Sequence, residues 1–262
     1  MGQFGNAGGG EGWNPATSFI SNPVRLHLIG QMEAWSKTNT NLLPSGRKAR
    51  ALLAILVLSG PQPVSRIRIA ELLWSRRAEN EARASLRQEL HHLLSAFSPA
   101  AVEVVLPTRL HIGLAPGAVW TDVAAVMSAT PTAPDALSLL KRDLLECLDG
   151  IDPAFDLWLK DKRQALRDGA RSVAADAMRR QIEPDAVIVA AKRLLQVDRA
   201  HEGAWRNLMN AYAEKGERGM AIRAYDQCRD ALASTFDVAP SNETQQLLIS
   251  IRGTSPVPRC TH

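Results

Sequence analysis

The chain has 262 residues, of which 45% are hydrophobic and 22% charged, enough length for two modest domains and an ordinary globular balance that excludes fibrous and low-complexity classes. Its net charge of +4 is unevenly spread: residues 24–120 carry 12 Lys and Arg against 6 acidic residues, and residues 121–262 carry 19 against 20. A basic first half joined to a near-neutral second half suits a module that meets a polyanion and one that does not.

Residues 1–22 are rich in Gly, Asn and Ser and read as a disordered arm. The cluster Gly8-Gly-Gly10 lacks a following Gly-Lys-Ser/Thr, which argues against a phosphate-binding loop. The arm shows no basic segment leading into an apolar one, so no secretory signal is visible. Alternation of Val24, Leu26 and Leu28 with Arg25 and His27 predicts a strand over residues 24–35. A Thr- and Asn-rich turn over residues 37–41 then leads to a short second or edge strand at Leu42-Leu-Pro44.

Three helical patterns follow closely. Residues 46–60 align Ala49, Leu52, Leu53, Leu56 and Val57 on one face. Residues 65–74 align Ile67, Ala70, Leu73 and Trp74. A third helix, starting near Asn80, aligns Ala82, Leu86, Leu90, Leu93 and Phe97 and leaves Ala84, Arg87, Gln88 and His91 on the opposite side. Val102-Glu-Val-Val-Leu106 and Arg109-Leu-His-Ile-Gly-Leu114 flank Pro107-Thr108 and read as a β-hairpin. Strands, three helices and a hairpin make a winged helix with an N-terminal sheet.

Beyond Trp120-Thr-Asp122 every pattern is helical. Thr132 and Asp135 have the spacing of a capping box. A helix over residues 156–181 aligns Trp158, Leu159, Leu166, Ala170, Val173, Ala174 and Ala177. Later helices align Val187, Ala190, Ala191 and Leu194, then Trp205, Leu208, Met209 and Tyr212, then Ala221, Tyr225 and Cys228. Ser241 precedes a last helix as its cap. Counted from Glu202, the residues Trp205, Leu208, Tyr212, Ala221 and Tyr225 fall at the positions of a thirty-four-residue tetratricopeptide unit. An ordinary helical bundle fits the same residues. Paired helices of the repeat kind present surfaces to partners, which makes Trp205, Tyr212 and Tyr225 candidate partner-binding residues.

The chemistry-bearing residues cluster in the first half. Arg83, Arg87 and His91 recur at four-residue steps on the third helix. Arginine reaches guanine O6 and N7 bidentately, and Gln88 can do the same for adenine, so Arg83, Arg87, Gln88 and His91 are the expected base contacts. A solvated face with Glu81 and Glu89 as ion-pair partners is the plainer alternative. Arg47, Lys48 and Arg50 stand at the start of the first helix, where the macrodipole disfavours cations and a phosphate would relieve the conflict. Together with Ser85 and Arg109 they are the expected contacts to the DNA backbone. Arg76 and Arg77, between the second and third helices, are candidates for DNA backbone contact or, as in related proteins, for contact with the transcription machinery.

Three cysteines, Cys147, Cys228 and Cys260, form no CxxC pair and suit a reducing compartment. Cys147 and Cys228 read as small core residues. The longest apolar run, residues 51–58, is too short to span a bilayer, and a cytoplasmic location is expected. His91 and His92 point to different sides of a helix and make no metal pair. His201, opening a helix beside Glu202, reads as a cap. No nucleophile elbow or separated carboxylate pair occurs, so no enzyme, metal or cofactor is expected, and no small-molecule ligand is evident.

Several motifs in order resemble the bacterial transcriptional activator domain family, which includes the antibiotic-pathway regulators of actinomycetes. They are Gly46-Arg-Lys-Ala-Arg-Ala-Leu-Leu-Ala54, Val64-Ser-Arg66, Glu71-Leu-Leu-Trp74, Ala84-Ser-Leu-Arg-Gln88 and Pro116-Gly-Ala-Val-Trp-Thr-Asp122. In the second half they are Phe155-Asp-Leu-Trp-Leu159, His201-Glu202, Leu208-Met209, Ala221, Tyr225, Cys228-Arg229 and Pro240 ahead of Glu243-Thr244. The resemblance runs over residues 24–252. It implies an OmpR/PhoB-type winged helix whose third helix reads DNA and whose hairpin is the wing, followed by a tetratricopeptide-like domain. It further implies binding to promoter repeats, usually as a dimer, and recruitment of RNA polymerase. The third helix ends His91-His92-Leu-Leu-Ser-Ala96, where the family carries further arginines. No receiver or ATPase pattern is seen.

The expectation is therefore a mainly α chain with a small β part. Residues 1–22 would be a disordered arm and 23–117 a winged helix-turn-helix with an N-terminal antiparallel sheet. Residues 120–252 would be an all-α tetratricopeptide-like domain and 253–262 a disordered tail. Its function would be sequence-specific regulation of transcription, as an activator on double-stranded promoter DNA, with RNA polymerase or a second copy as protein partner and no membrane. The rival is a protein-interaction adaptor that uses the winged helix as a docking platform without strong DNA binding.

Overall fold

The computed structural model describes residues 22–100 and 103–253. The expected arm and tail lie outside these residues except for Asn22 and Gly253. The chain divides into two compact units, one running to Ala125 and including Arg142–Gln164, the other made of Val126–Lys141 and the residues from Ala165 onward.

In the first unit, β1 (Val24–His27) buries Val24 and Leu26 and half-exposes Arg25 and His27, as the alternation requires. The chain reverses through Gly30, whose φ of 87° suits glycine, and returns as β2 (Glu33–Ser36), antiparallel to β1. The predicted single strand over 24–35 is thus two. Leu42 to Pro44 form no strand, because only Asn41 bridges back, to Trp35. The sheet is completed by β6 (Val119–Thr121), which pairs parallel to β1. It is therefore mixed rather than antiparallel, with the whole helical block and hairpin as the crossover that a parallel pair needs.

Within that crossover, α1 (Arg47–Leu58) buries every residue from Ala51 to Leu56, and Gly60 at φ 79° turns the chain after it. Next, β3 (Val64–Ser65) leads into α2 (Arg66–Leu73), where the Ser65 hydroxyl accepts from the Arg68 amide as an N-cap. This helix buries Ile69, Ala70, Leu72 and Leu73, but Ile67, expected in the core, is 57% exposed. Then α3 (Glu79–Phe97) buries Ala82, Leu86, Leu90, Leu93 and Phe97, the five residues that the periodicity aligns. The hairpin follows as β4 (Val105–Pro107) and β5 (His111–Leu114), with β5 also paired to β3. The second hairpin strand starts two residues later than predicted, so Arg109 and Leu110 lie in its turn.

Asp122, which opens α4 (Asp122–Met127), is almost fully buried and accepts backbone N–H bonds from Leu28, Ile29 and Val123. Burial pushes its carboxyl above the usual range, against those hydrogen bonds and the nearby His27. Residues 142–164 also belong to this unit. Gly30 N–H donates to Asp143 O at 2.7 Å, and Leu28 O accepts from Leu145 N–H at 2.7 Å. Arg163 ties the segment by donating to the carbonyls of Leu144 and Leu145 and to the Asp149 carboxylate. Within it α5 (Pro153–Arg179) begins, and the residues of this helix from Ala165 onward belong to the second unit.

The second unit is helical among its described residues. After a short 3-10 turn over Asp135–Leu139 it holds the rest of α5, then α6 (Pro184–Val197), α7 (Glu202–Glu214), α8 (Arg218–Phe236) and α9 (Asn242–Gly253). Pro184 occupies the first turn of α6, where a missing N–H costs nothing. Thr132 and Asp135 do not form the expected capping box. Thr130 and Ala133 close a turn there, and Asp135 instead pairs with Arg193 at 3.0 Å. His201 Nδ1 accepts from the Ala204 amide at 3.1 Å, so this histidine caps α7. Glu202 Oε1 accepts from Ser241 N–H at 2.7 Å and from the Thr244 hydroxyl at 2.5 Å, joining α7 to the start of α9.

Candidate nucleic-acid interface

The outer face of α3 is set by what its inner face buries. With Ala82, Leu86, Leu90 and Leu93 turned inward, Arg83, Arg87, Gln88 and His91 are all exposed, together with Ala84 and Ser95. Arg83 pairs with Glu79 at 2.5 Å one turn back. Both side chains are more than half exposed, and such a pair contributes about 0–1 kcal/mol, so an incoming phosphate displaces it readily. Arg87 and Gln88 make no hydrogen bond or ion pair within the described residues, which leaves their donors for a ligand. Glu89 is turned aside to the half-buried flank, where its Oε2 lies 3.6 Å from His92 Nδ1.

Beside this face lies a cavity of about 590 Å3, with Arg83, Leu86 and Arg87 on one wall and Arg66, Arg109 and Leu110 among the others. The hairpin turn is held there from both sides. Arg66 N–H donates to Leu110 O at 2.9 Å, and the Arg66 side chain donates to Thr108 O at 2.9 Å. Thr108 Oγ1 in turn accepts from the His111 amide at 3.0 Å. The turn therefore presents Arg109 and the 66%-exposed Leu110 to the cavity beside α3, which exposed Ile67 also lines. Sequence reasoning found Arg109 but missed Arg66, Ile67 and Leu110. Ile67 was absorbed into the apolar pattern of α2, and the other two carry no local signal.

The expected phosphate contacts at α1 have other partners. Arg47 donates to the carbonyls of Cys147 and Asp149, and Arg50 donates to Pro44 O. Lys48 is turned inward, donating to Leu73 O with its ammonium 4.9 Å from the centre of the Trp74 ring. Burial pulls Lys48 below the usual lysine range, with Asp152 opposing the shift and Arg77 reinforcing it. A carboxylate also stands where a phosphate was expected: Glu89 Oε2 lies 3.5 Å from the position a side chain on Gly46 would take, at the start of α1. That anion answers the macrodipole conflict of the basic helix start.

Ser85, half-buried, accepts from Arg77 at 2.9 Å, so both are committed to bracing the link between α2 and α3. Arg76, in the same link, is exposed. That link is further tied by Ser75, whose N–H and hydroxyl both donate to the buried Asp152.

In the second unit, Trp205 and Tyr212 are 7% and 5% exposed and act chiefly as core residues, and Tyr225 is half-buried. The Trp205 indole donates to Arg199 O at 2.9 Å. Their spacing reports packing between paired helices more than an open partner surface. No helix among the described residues is long and apolar enough to cross a membrane.

Residues 124–252 match the family described as bacterial transcriptional activator domain. No curated protein matches the chain. Among solved structures, Mycobacterium tuberculosis EmbR, recorded in complex with a low-affinity phosphopeptide, is similar with a TM-score of 0.58 and 20% sequence identity. The match covers 90% of this chain and 66% of that one. At that identity the likeness is one of fold.

Proposed function

We propose that this chain, which belongs through residues 124–252 to the bacterial transcriptional activator domain family, is a transcriptional activator that reads promoter DNA with α3. The observation that carries the reading is the outer face of α3. Arg83, Arg87, Gln88 and His91 are exposed together there, and Arg87 and Gln88 have no side-chain partner among the described residues. A helix of this width enters a major groove, and an arginine and an amide one residue apart address neighbouring base edges.

Arg109 in the hairpin turn and Arg66 beside it supply charge for the flanking phosphates or the adjacent minor groove. Arg47, Lys48 and Arg50, whose side chains donate to carbonyls of the chain itself, do not take part in this reading. The exposed Arg76 is the residue of the α2–α3 link best suited to a DNA backbone or polymerase contact. The helical unit would serve polymerase or a second copy of the chain, and the protein would work in the cytoplasm without enzymatic chemistry.

Salt dependence tests the reading. Duplex binding should weaken steeply with salt, with a log–log slope of several units, each about 0.9 per phosphate neutralised. A flat dependence would favour the adaptor alternative, which the internal hydrogen bonding of three of the expected phosphate contacts supports.

A further inference from the structure

The second unit holds a cavity of about 480 Å3 between α6 and α8, over α7. Its floor includes the edges of Trp205 and Tyr212, and its walls carry two polar pairs at four-residue spacing. Lys192 and Gln196 stand on α6, and Arg223 and Gln227 on α8, all four exposed. No carboxylate among the described residues lines it.

Six cations elsewhere in this unit are matched, while Arg180, Arg199, Arg218 and Arg252 stand outside the lining of the cavity without a carboxylate among the described residues. Arg171, Arg179, Arg193, Arg206, Lys215 and Arg229 each pair with one or more carboxylates. Lys192 and Arg223 pair with none among the described residues. The Lys192 ammonium lies 5.8 Å from the centre of the Tyr212 ring, and Arg223 contacts only the Met220 sulfur at 3.8 Å. An apolar, aromatic floor between two unpaired cations, with amide side chains beside each, is complementary to one chemistry. That chemistry is an apolar side chain flanked by carboxylates.

We propose that this cavity binds an acidic segment of a partner protein, inserting one apolar side chain over Trp205 and Tyr212 while carboxylates meet Lys192 and Arg223. The proposal rests on the helical unit's being an interaction module, and is independent of DNA reading by α3. The amides of Gln196 and Gln227 serve the segment's backbone. The volume matches one large side chain with its neighbours, within the range of roughly 300–1,000 Å3 usual for ligand pockets.

The test uses the full chain and fluorescein-labelled ten-residue peptides with a central Leu, Phe or Trp flanked by Asp and Glu. Matched peptides replace the acidic residues by Ser or Lys. Anisotropy should show binding of the acidic set alone, weakened about ten-fold by Lys192→Glu or Arg223→Glu and unchanged by the control reversal Arg252→Glu. Unfolding curves of the reversed variants confirm that these exposed positions leave the fold intact. Equal binding of acidic and Ser peptides, no binding at all, or indifference to both reversals would overturn the proposal. Duplex DNA binding is measured in parallel. If Lys192→Glu abolishes it, the cations face nucleic acid and the proposal fails. If DNA binding is absent in the wild type while acidic peptides bind, the proposal stands and the α3 reading fails.

Discussion

Ser75 donates twice to Asp152, from its N–H to Oδ2 at 3.1 Å and from its hydroxyl to Oδ1 at 2.6 Å, across 77 residues of sequence. The link that aims α3 is thereby anchored to residues well beyond the hairpin. Asp152 is 8% exposed while Ser75 is exposed, so the carboxylate side of the pair is buried and the bonds are partly shielded from water.

Replacing Asp152 by Ala leaves the Ser75 donors without their acceptor. Stability should fall by about 1.5–3 kcal/mol, the range for hydrogen bonds to a charged acceptor. Amide exchange should rise at residues 75–78. Denaturant unfolding with exchange read by mass spectrometry checks both, and unchanged protection at Ser75 would show that the anchor is dispensable.

Lys48 and Arg109 separate a bonded cation from a presented one. Lys48→Met should change stability but leave the salt slope of DNA binding unaltered. Arg109→Ala should leave stability within about 0.5 kcal/mol and lower the slope by about one unit. The reverse assignment would return Lys48 to the phosphate contacts suggested by its position in the sequence.

What was legible in the sequence and what was not follows from the range of the interactions. The periodicity of α3 is local, and all five of its buried residues and its exposed arginines could be read from it. The hairpin was visible in its valines and isoleucine for the same reason. The fate of Lys48 depends on a carbonyl 25 residues away, and that of residues 142–164 on backbone pairing with Leu28 and Gly30. Neither leaves a local pattern. Trp205 and Tyr212 were found by spacing, but spacing reports packing, and their burial turned an expected surface into the floor of a cavity.

Glu202 gives the helical unit an acid-sensitive joint. Partial burial works against its charge, but hydrogen bonds from Ser241 and Thr244, helped by Arg206, hold its carboxyl below the ordinary value of 4.5. A depressed carboxylate contributes stability that is present above its unfolded value and lost as pH falls through the folded one. The wild type should therefore lose more stability than Glu202→Gln as pH drops from about 5 to about 3. Parallel acid limbs for the two proteins in urea titrations would remove Glu202 from this role.

Burial, with Glu202 nearby, pushes the Cys228 thiol up to about 12, so it carries almost no thiolate at neutral pH. Ellman's reagent at about pH 8 should leave Cys228 unmodified in the native chain and modify all three cysteines after unfolding. Three rapidly reacting thiols in the native protein would contradict the packing of α8 against α7.

The most direct test of the central claim is selection of bound sequences from random duplex DNA, with the full chain and with Arg87→Ala, at near-physiological salt. The account expects an enriched motif, with the variant binding it about 1–3 kcal/mol more weakly and losing discrimination at one base position. No enrichment by the wild type, or an Arg87→Ala variant that selects the same motif with full affinity, would contradict the reading of DNA by α3.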